Sequence, residues 1–170
     1  MVTVELYFRD NFFSSGETPI MNAAGEHAGT MDLRSMFSAS LSVYGPSGEL
    51  RVTGSFRFFS GKWEVADSSE SVIGVLRSRL SFFSKRFEYD AGERGLYTIE
   101  SPAFSRSYTV IDHSGIEVAS FDKTSGWLES GAFCLNNRAA LLDSYELIAV
   151  VMGMHSIQKR NNAAAASAST

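Results

Sequence analysis

Eight consecutive residues near the carboxyl end, Leu147-Ile-Ala-Val-Val-Met-Gly-Met154, are apolar or small without interruption. They follow Asp143-Ser-Tyr-Glu146, which reads as a helix start: Asp143 is placed to cap the free amides and Glu146 to reach back from three residues on. A helix with no polar face has to be buried in protein or in a membrane. The run falls well short of the roughly twenty residues that span a bilayer, and Asp143, Glu146 and His155 flank it, so burial in protein is expected. Lys159 and Arg160 close the helix where cations suit its dipole. The predicted helix covers about 143–160, with Leu147, Ile148, Val150, Val151 and Met154 as its buried residues. The low-complexity stretch 161–170 is expected to be a disordered tail.

Such a helix needs an apolar enclosure, and the preceding chain is patterned to supply one. From the amino terminus to about residue 135 the signal has period two. Leu50, Val52, Phe56 and Phe58 fall on one face and Arg51, Thr53, Ser55 and Arg57 on the other. Leu76, Leu80 and Phe82 likewise oppose Arg77 and Arg79, and Phe87 and Tyr89 oppose Arg86 and Glu88. Turn signals recur about every 22 or 23 residues, at Ala24-Gly25, Ser47-Gly48, Ser69-Glu70, Gly92-Glu93 and Ser114-Gly115. Breaks near Arg34-Ser35, Phe59-Ser-Gly61, Ser84-Lys85, Pro102 and Gly126 supply the other hairpin ends. Two strands of about eight residues fill each interval, which gives roughly ten to twelve antiparallel strands in chain order.

A meander that long curls to cover one face and remove its edges. The expected fold is all-β with one carboxyl-terminal helix: a closed antiparallel barrel of about twelve strands around a central hydrophobic helix, with a β-sandwich as the rival. At 170 residues the chain suits one domain, assigned to 1–160. Small Ala149 and Gly153 would let strand side chains approach the helix, and the thirteen phenylalanines can line the wall facing it.

The strand order, the hairpin turns such as Asp112-His-Ser-Gly115, and the phrases Tyr108-Thr-Val-Ile-Asp-His-Ser-Gly-Ile-Glu-Val-Ala119 and Asp143-Ser-Tyr-Glu-Leu-Ile-Ala-Val-Val151 resemble the Tubby C-terminal-like superfamily. Within it, the chain is most similar to the small LURP-one-related group that includes bacterial members. The resemblance spans residues 5 to 160 and contains no catalytic fingerprint. It implies a twelve-stranded barrel around a central helix, as in Tubby proteins and as proposed for phospholipid scramblases. It also implies binding of phosphoinositides through basic residues on the barrel surface, as Tubby domains do, although the Tubby lipid contacts are not matched residue by residue. The long amino-terminal extensions of animal Tubby proteins have no counterpart in this sequence.

The formal charge of −4 hides a local basic stretch. Between Glu70 and Glu88 stand Arg77, Arg79, Lys85 and Arg86 with no acid among them. Arg51, Arg57 and Lys62 are expected to face outward from the hairpin before. Arg77, Arg79, Lys85, Arg86, Arg57 and Lys62 are therefore the candidate contacts for anionic lipid, with Phe83 available to enter a membrane interface. The competing reading is a solvated face whose cations guard strands against edge pairing. Nucleic-acid binding is not expected, because aromatic and basic residues alternate between faces instead of sharing one.

No cofactor, metal site or catalytic centre is expected. His27, His113 and His155 have no metal-ligand spacing, and Cys134 sits among apolar neighbours as a small core residue would. Asp112-His113-Ser114 carries the letters of a triad but reads as a turn. Glycines never form a phosphate loop leading into a helix. Gly61-Lys-Trp63 is similar to the Gly-x-Trp phrase of lipocalins, but it lies a third of the way along the chain instead of on the first strand.

The expected function is a non-enzymatic interaction module that binds anionic phospholipid or phosphoinositide peripherally. The alternatives are a scaffold for a protein partner and a lipocalin-like carrier of a small apolar ligand. Glu5, Arg9 and Asp10 interrupt the amino-terminal pattern, so no signal-peptide core is present. A cytoplasmic protein, attached to a membrane at its periphery if at all and without a transmembrane span, is the expectation.

Overall fold

The computed structural model describes residues 3–9, 16–34, 40–79, 84–102, 107–124 and 132–169. Twelve strands form along the chain: β1 (Val4–Arg9), β2 (Gly16–Asn22), β3 (His27–Leu33), β4 (Ser40–Tyr44), β5 (Leu50–Phe56), β6 (Trp63–Asp67), β7 (Val72–Arg79), β8 (Ser84–Asp90), β9 (Leu96–Pro102), β10 (Tyr108–Ile111), β11 (Glu117–Lys123) and β12 (Ala132–Asn137). Each pairs antiparallel with its neighbour in sequence, and β1 pairs with β12 from Val4–Asn137 to Arg9–Ala132, closing the barrel. The expected closed meander is the observed one.

Alternation sets the inner wall. Val52, Trp63, Val65, Leu76, Phe87, Tyr89 and Ile99 point inward and are buried, while Arg77, Arg86 and Glu88 face outward. Phe58 departs from its expected place on the inner face: β5 ends at Phe56, and Phe58 lies in the following turn, exposed. Leu80 and Phe82 lie outside the described residues. Of the expected breaks, Ser84-Lys85 proves to be the start of β8, whose pairing with β9 already begins at Ser84–Pro102.

Strand direction gives the barrel two ends. At one, four turns share a single geometry. The first residue's amide donates to the carbonyl four residues on, as in Asn22 to Glu26 and Asp112 to Ile116, both 2.9 Å. The amide three residues on donates back, as in Gly25 to Asn22 at 2.9 Å. Gly45–Glu49 and Asp67–Ser71 repeat the pattern. It requires a left-handed residue at the fourth position, filled by Gly25, Gly48, Glu70 and Gly115 with φ between 65° and 80°. Each turn is followed by a register shift in its hairpin. Side-chain oxygens of Asn22, Asp67 and Asp112 accept the amides inside their turns at 2.8–3.0 Å. These are four of the five turn signals spaced at 22 or 23 residues; the fifth, Gly92-Glu93, lies in a 3-10 turn over Gly92–Arg94 between β8 and β9.

The helix α1 (Ser144–Ala168) starts at this same end. Asp143 caps it, Oδ1 accepting from the Tyr145 amide at 2.9 Å. Tyr145 donates its hydroxyl to the Ala28 carbonyl at 2.6 Å, and Asn137 donates to the Leu142 carbonyl and Ser144 Oγ. Glu146 does not reach back to the cap. Its carboxylate turns into the barrel, only 1% exposed, and is bound by the Tyr89 hydroxyl at 2.5 Å and by Arg94 at 2.6 and 2.8 Å. That pairing satisfies a charge that would otherwise be buried alone. Burial, and then the neighbouring Glu146 carboxylate, pushes the Tyr89 hydroxyl far above its ordinary pKa.

Leu147 through Met154, including Leu147, Ile148, Val150, Val151 and Met154, are buried as expected. Gly153 lies against the Trp63 ring, so closely that a methyl group in its place would stand 2.4 Å from Trp63 Cδ1. Gly54 of β5 has the corresponding relation to Trp63 Cζ2, at 2.5 Å. Trp63 is thus held between two glycines, one on the wall and one on the helix.

The expected end of the helix near residue 160 and the disordered tail are both corrected: α1 continues to Ala168 with 159–169 exposed. Alanine has the highest intrinsic helix propensity, so Ala163 to Ala166 extend a helix already nucleated inside the barrel without needing a core of their own.

Candidate functional site

The helix leaves the barrel at its second end, the mouth, opposite the capped end. A cleft of about 340 Å³ opens there between α1 and the adjoining ends of β7 and β8. It is lined by Ser78, Arg79, Ser84, Lys85, Arg86, Phe87, Gln158, Asn161 and Asn162. Three of the six candidate cations therefore meet at one place, with the hydroxyls of Ser78 and Ser84 on the same strands and amide groups on the facing helix. Gln158 Nε2 is buried and has no hydrogen-bond partner among the described residues. Two departures from the expected element bounds build this arrangement: Ser84, Lys85 and Arg86 begin a strand where a break is expected, and the helix runs past its expected end to bring Asn161 and Asn162 beside them.

Arg57, Lys62 and Arg77 do not line the cleft, and strand pairing supplies acids that the linear sequence does not show. Arg77 is bound to Glu88, directly across from it on β8, through both Nε and Nη2. Arg79 shares that carboxylate at 2.8 Å, so one acid faces two guanidinium groups. Hydrogen bonds, first from Arg79 and then from Arg77, hold the Glu88 carboxyl below its usual range. Arg86 pairs with Glu100 at 3.3 Å and Arg57 with Glu64 at 3.5 Å. Arg51 belongs to the capped end, where it pairs with Asp143 at 3.4 Å and stacks on the Tyr145 ring. The local excess of four positive charges is thus a property of chain order: Glu88 and Glu100 reduce it in space. Among the described residues, Lys62 and Lys85 have no ion-pair partner. Phe83 lies outside the described residues.

Exposed pairs such as Arg86–Glu100 are worth about 0–1 kcal/mol, so their guanidinium groups can turn to a stronger anion at little loss. A phosphate in the cleft would meet Arg79, Lys85 and Arg86 together, with amide donors from α1. Arg57 and Lys62 flank the neighbouring β5–β6 turn, which is tied to the helix by Arg160: its guanidinium lies 4.6 Å from the Phe56 ring centre and reaches the Ser60 carbonyl at 3.5 Å.

The residues considered for catalysis are distributed elsewhere. Asp112 organises its turn through the amides of Ser114 and Ile116, with His113 exposed on the outside. His27 contacts Thr30 at 3.2 Å. His155 is buried between the rings of Tyr108 and Phe133, and burial, with a smaller contribution from Lys85, pushes its pKa down to about 3. Cys134 is buried on the outer side of β12, opposite Tyr7, and is not part of the central core; burial raises its thiol pKa. Among the described residues, no three His, Cys, Asp or Glu side chains are grouped to hold a metal ion, and no helix is long and apolar enough to cross a membrane. The lumen in which a lipocalin-like carrier keeps its ligand is filled by α1.

No family model matches the chain, and no curated protein matches it. Among solved structures, it is similar to a crystal structure of a protein from Arabidopsis thaliana, AT5G01750, with a TM-score of 0.64 and 11% identity, over 92% of this chain and 91% of that one. At that identity the likeness is one of fold.

Proposed function

We propose that the protein is a peripheral, non-enzymatic module that binds the phosphate-bearing head groups of anionic phospholipid or phosphoinositide at the barrel mouth. The observation that carries this reading is the cleft in which Arg79, Lys85 and Arg86 converge with Gln158, Asn161 and Asn162. Each cation near an anionic surface contributes about 1 kcal/mol, so three together correspond to roughly a hundredfold in affinity. The resemblance to the LURP-one-related group of the Tubby superfamily supports the same class of ligand, and the fold shared with the Arabidopsis protein is compatible with it.

The test is co-sedimentation with vesicles of phosphatidylcholine alone and of phosphatidylcholine with phosphatidylserine or a phosphoinositide. Binding only to the anionic vesicles, reduced at least tenfold in K85E/R86E, is the expected result. Equal and negligible sedimentation with both vesicle types overturns the proposal.

A further inference from the structure

The β5–β6 turn at the mouth has a composition that packing does not account for. Phe58 and Phe59 occupy its tip, 84% and 95% exposed, with their rings 4.2 Å apart. Phe59 has φ 54°, a left-handed conformation that bulky residues rarely adopt and that glycine would take without strain. The turn is nevertheless closed by hydrogen bonds, Arg57 N to Lys62 O at 2.9 Å and Ser60 N to Arg57 O at 3.1 Å. An ordered turn therefore holds two large apolar rings in solvent, away from the core, between Arg57 and Lys62 and beside Arg160.

The two barrel ends also differ in charge and in aromatic content. The turns at the capped end, with the segment leading into the helix (22–27, 44–51, 67–72, 90–96, 111–117 and 138–143), contain nine carboxylates and three arginines. That leaves twelve Lys and Arg against ten Asp and Glu in the rest of the chain, although the whole is acidic. The tight turns of the capped end, 22–27, 45–49, 67–71, 91–95 and 112–116, contain no Phe, Tyr or Trp, and Tyr44, Tyr97 and Tyr145 beside them are buried or half-buried. A molecule acidic at one end, with cations and exposed rings at the other, is attracted to an anionic surface in one orientation only.

We infer that the barrel docks end-on against an anionic bilayer, with Phe58 and Phe59 inserted into the interface and the acidic turns directed away from it. The inference rests on the lipid-binding reading above and adds to it an orientation and an insertion element. Aromatic rings favour the boundary between head groups and acyl chains, and flanking cations hold such a tip against the anionic layer. Anionic bilayer is the occupant that answers both features of the tip: a second copy of the chain would bring Arg57, Lys62 and Arg160 against their own counterparts.

The test uses the full chain and vesicles of phosphatidylcholine with phosphatidylserine, with and without bromine on the acyl chains. F59W is expected to show tryptophan emission shifted to shorter wavelength on binding and quenched by the brominated chains, beyond any change in the wild-type protein. F58S/F59S, in which only exposed side chains are altered, is expected to keep its circular dichroism and bind at least tenfold more weakly. Wild-type binding with F59W unquenched and F58S/F59S equal to wild type overturns the insertion while the electrostatic reading stands. Absence of wild-type binding overturns both. Loss of a self-associated species in F58S/F59S with vesicle binding unchanged assigns the tip to a contact between protein copies and overturns the inference.

Discussion

Replacing Gly153 by alanine separates the enclosed-helix packing from ordinary helix energetics, because the two predict opposite signs. At an open position inside a helix, Gly→Ala stabilises by about 1 kcal/mol through backbone entropy. At Gly153 the new methyl would lie 2.4 Å from Trp63 Cδ1 and 2.6 Å from Cγ and Nε1. Carbon atoms pack at about 3.5–4.0 Å, so the indole would have to withdraw by roughly 1 Å. Its way is barred by the β5 backbone at Gly54, already close enough to exclude a side chain there, and by Phe56, whose ring centre is 5.3 Å away, edge-on. Overpacking of this kind costs about 1–3 kcal/mol, and Trp63, 1% exposed, has no solvent into which to escape. The net expectation for G153A is a loss of up to about 2 kcal/mol after the helix-propensity gain is subtracted. Urea unfolding followed by far-ultraviolet circular dichroism measures it. In W63F the smaller ring leaves room, so G153A in that background should lose less or even gain, giving a coupling energy of about 1 kcal/mol or more. A G153A protein stabilised by about 1 kcal/mol, as at an open helix position, refutes the arrangement of Trp63 between wall and helix.

Three further predictions concern the buried charges and the helix. V150D places a carboxylate where the side chain is fully buried and should prevent cooperative folding; a soluble variant with a sharp unfolding transition contradicts a helix inside the barrel. R94M leaves the Glu146 carboxylate buried with only Tyr89 as a described partner and should cost about 3 kcal/mol, whereas R94M/E146M should recover much of the loss in the same urea titration. His155 has its pKa lowered to about 3, so below the ordinary value of about 6.5 the unfolded chain takes up a proton that the folded chain refuses. Its contribution to stability is complete above about pH 6.5 and is lost as pH falls toward 3, at up to about 1.4 kcal/mol per unit; H155M should flatten this slope between about pH 6.5 and 5.

What could be read from the sequence follows the range of the forces involved. The turns of the capped end are legible because Asn22, Asp67, Asp112 and the left-handed glycines act within four or five residues, and their spacing counts strands directly. The helix is legible because its lack of a polar face admits few environments. Charge pairing between strands is not local: Glu88 lies eleven residues from Arg77 and Glu100 fourteen from Arg86 in the sequence, and only the register brings each across from its partner. Chain order alone therefore overcounts the free charge of the basic cluster. Glu146 illustrates the same limit, since a capping residue and a buried ion-pair partner have the same local signature, and Arg94 and Tyr89 enter only through barrel closure. The cleft depends on Asn161 and Asn162, in a stretch whose composition reads as a tail. The alanines that make it low in complexity are also what continue the helix.

Amide hydrogen exchange of the full chain, with and without vesicles containing phosphatidylserine, separates docking through the mouth from contact through any other face. End-on docking predicts slowed exchange on binding at 57–62, 84–87 and 158–162, the turn and cleft of the mouth, with the turns at 22–27, 45–49, 67–71 and 112–116 unchanged. Protection at the acidic turns, protection spread over the barrel wall, or no change anywhere would contradict it.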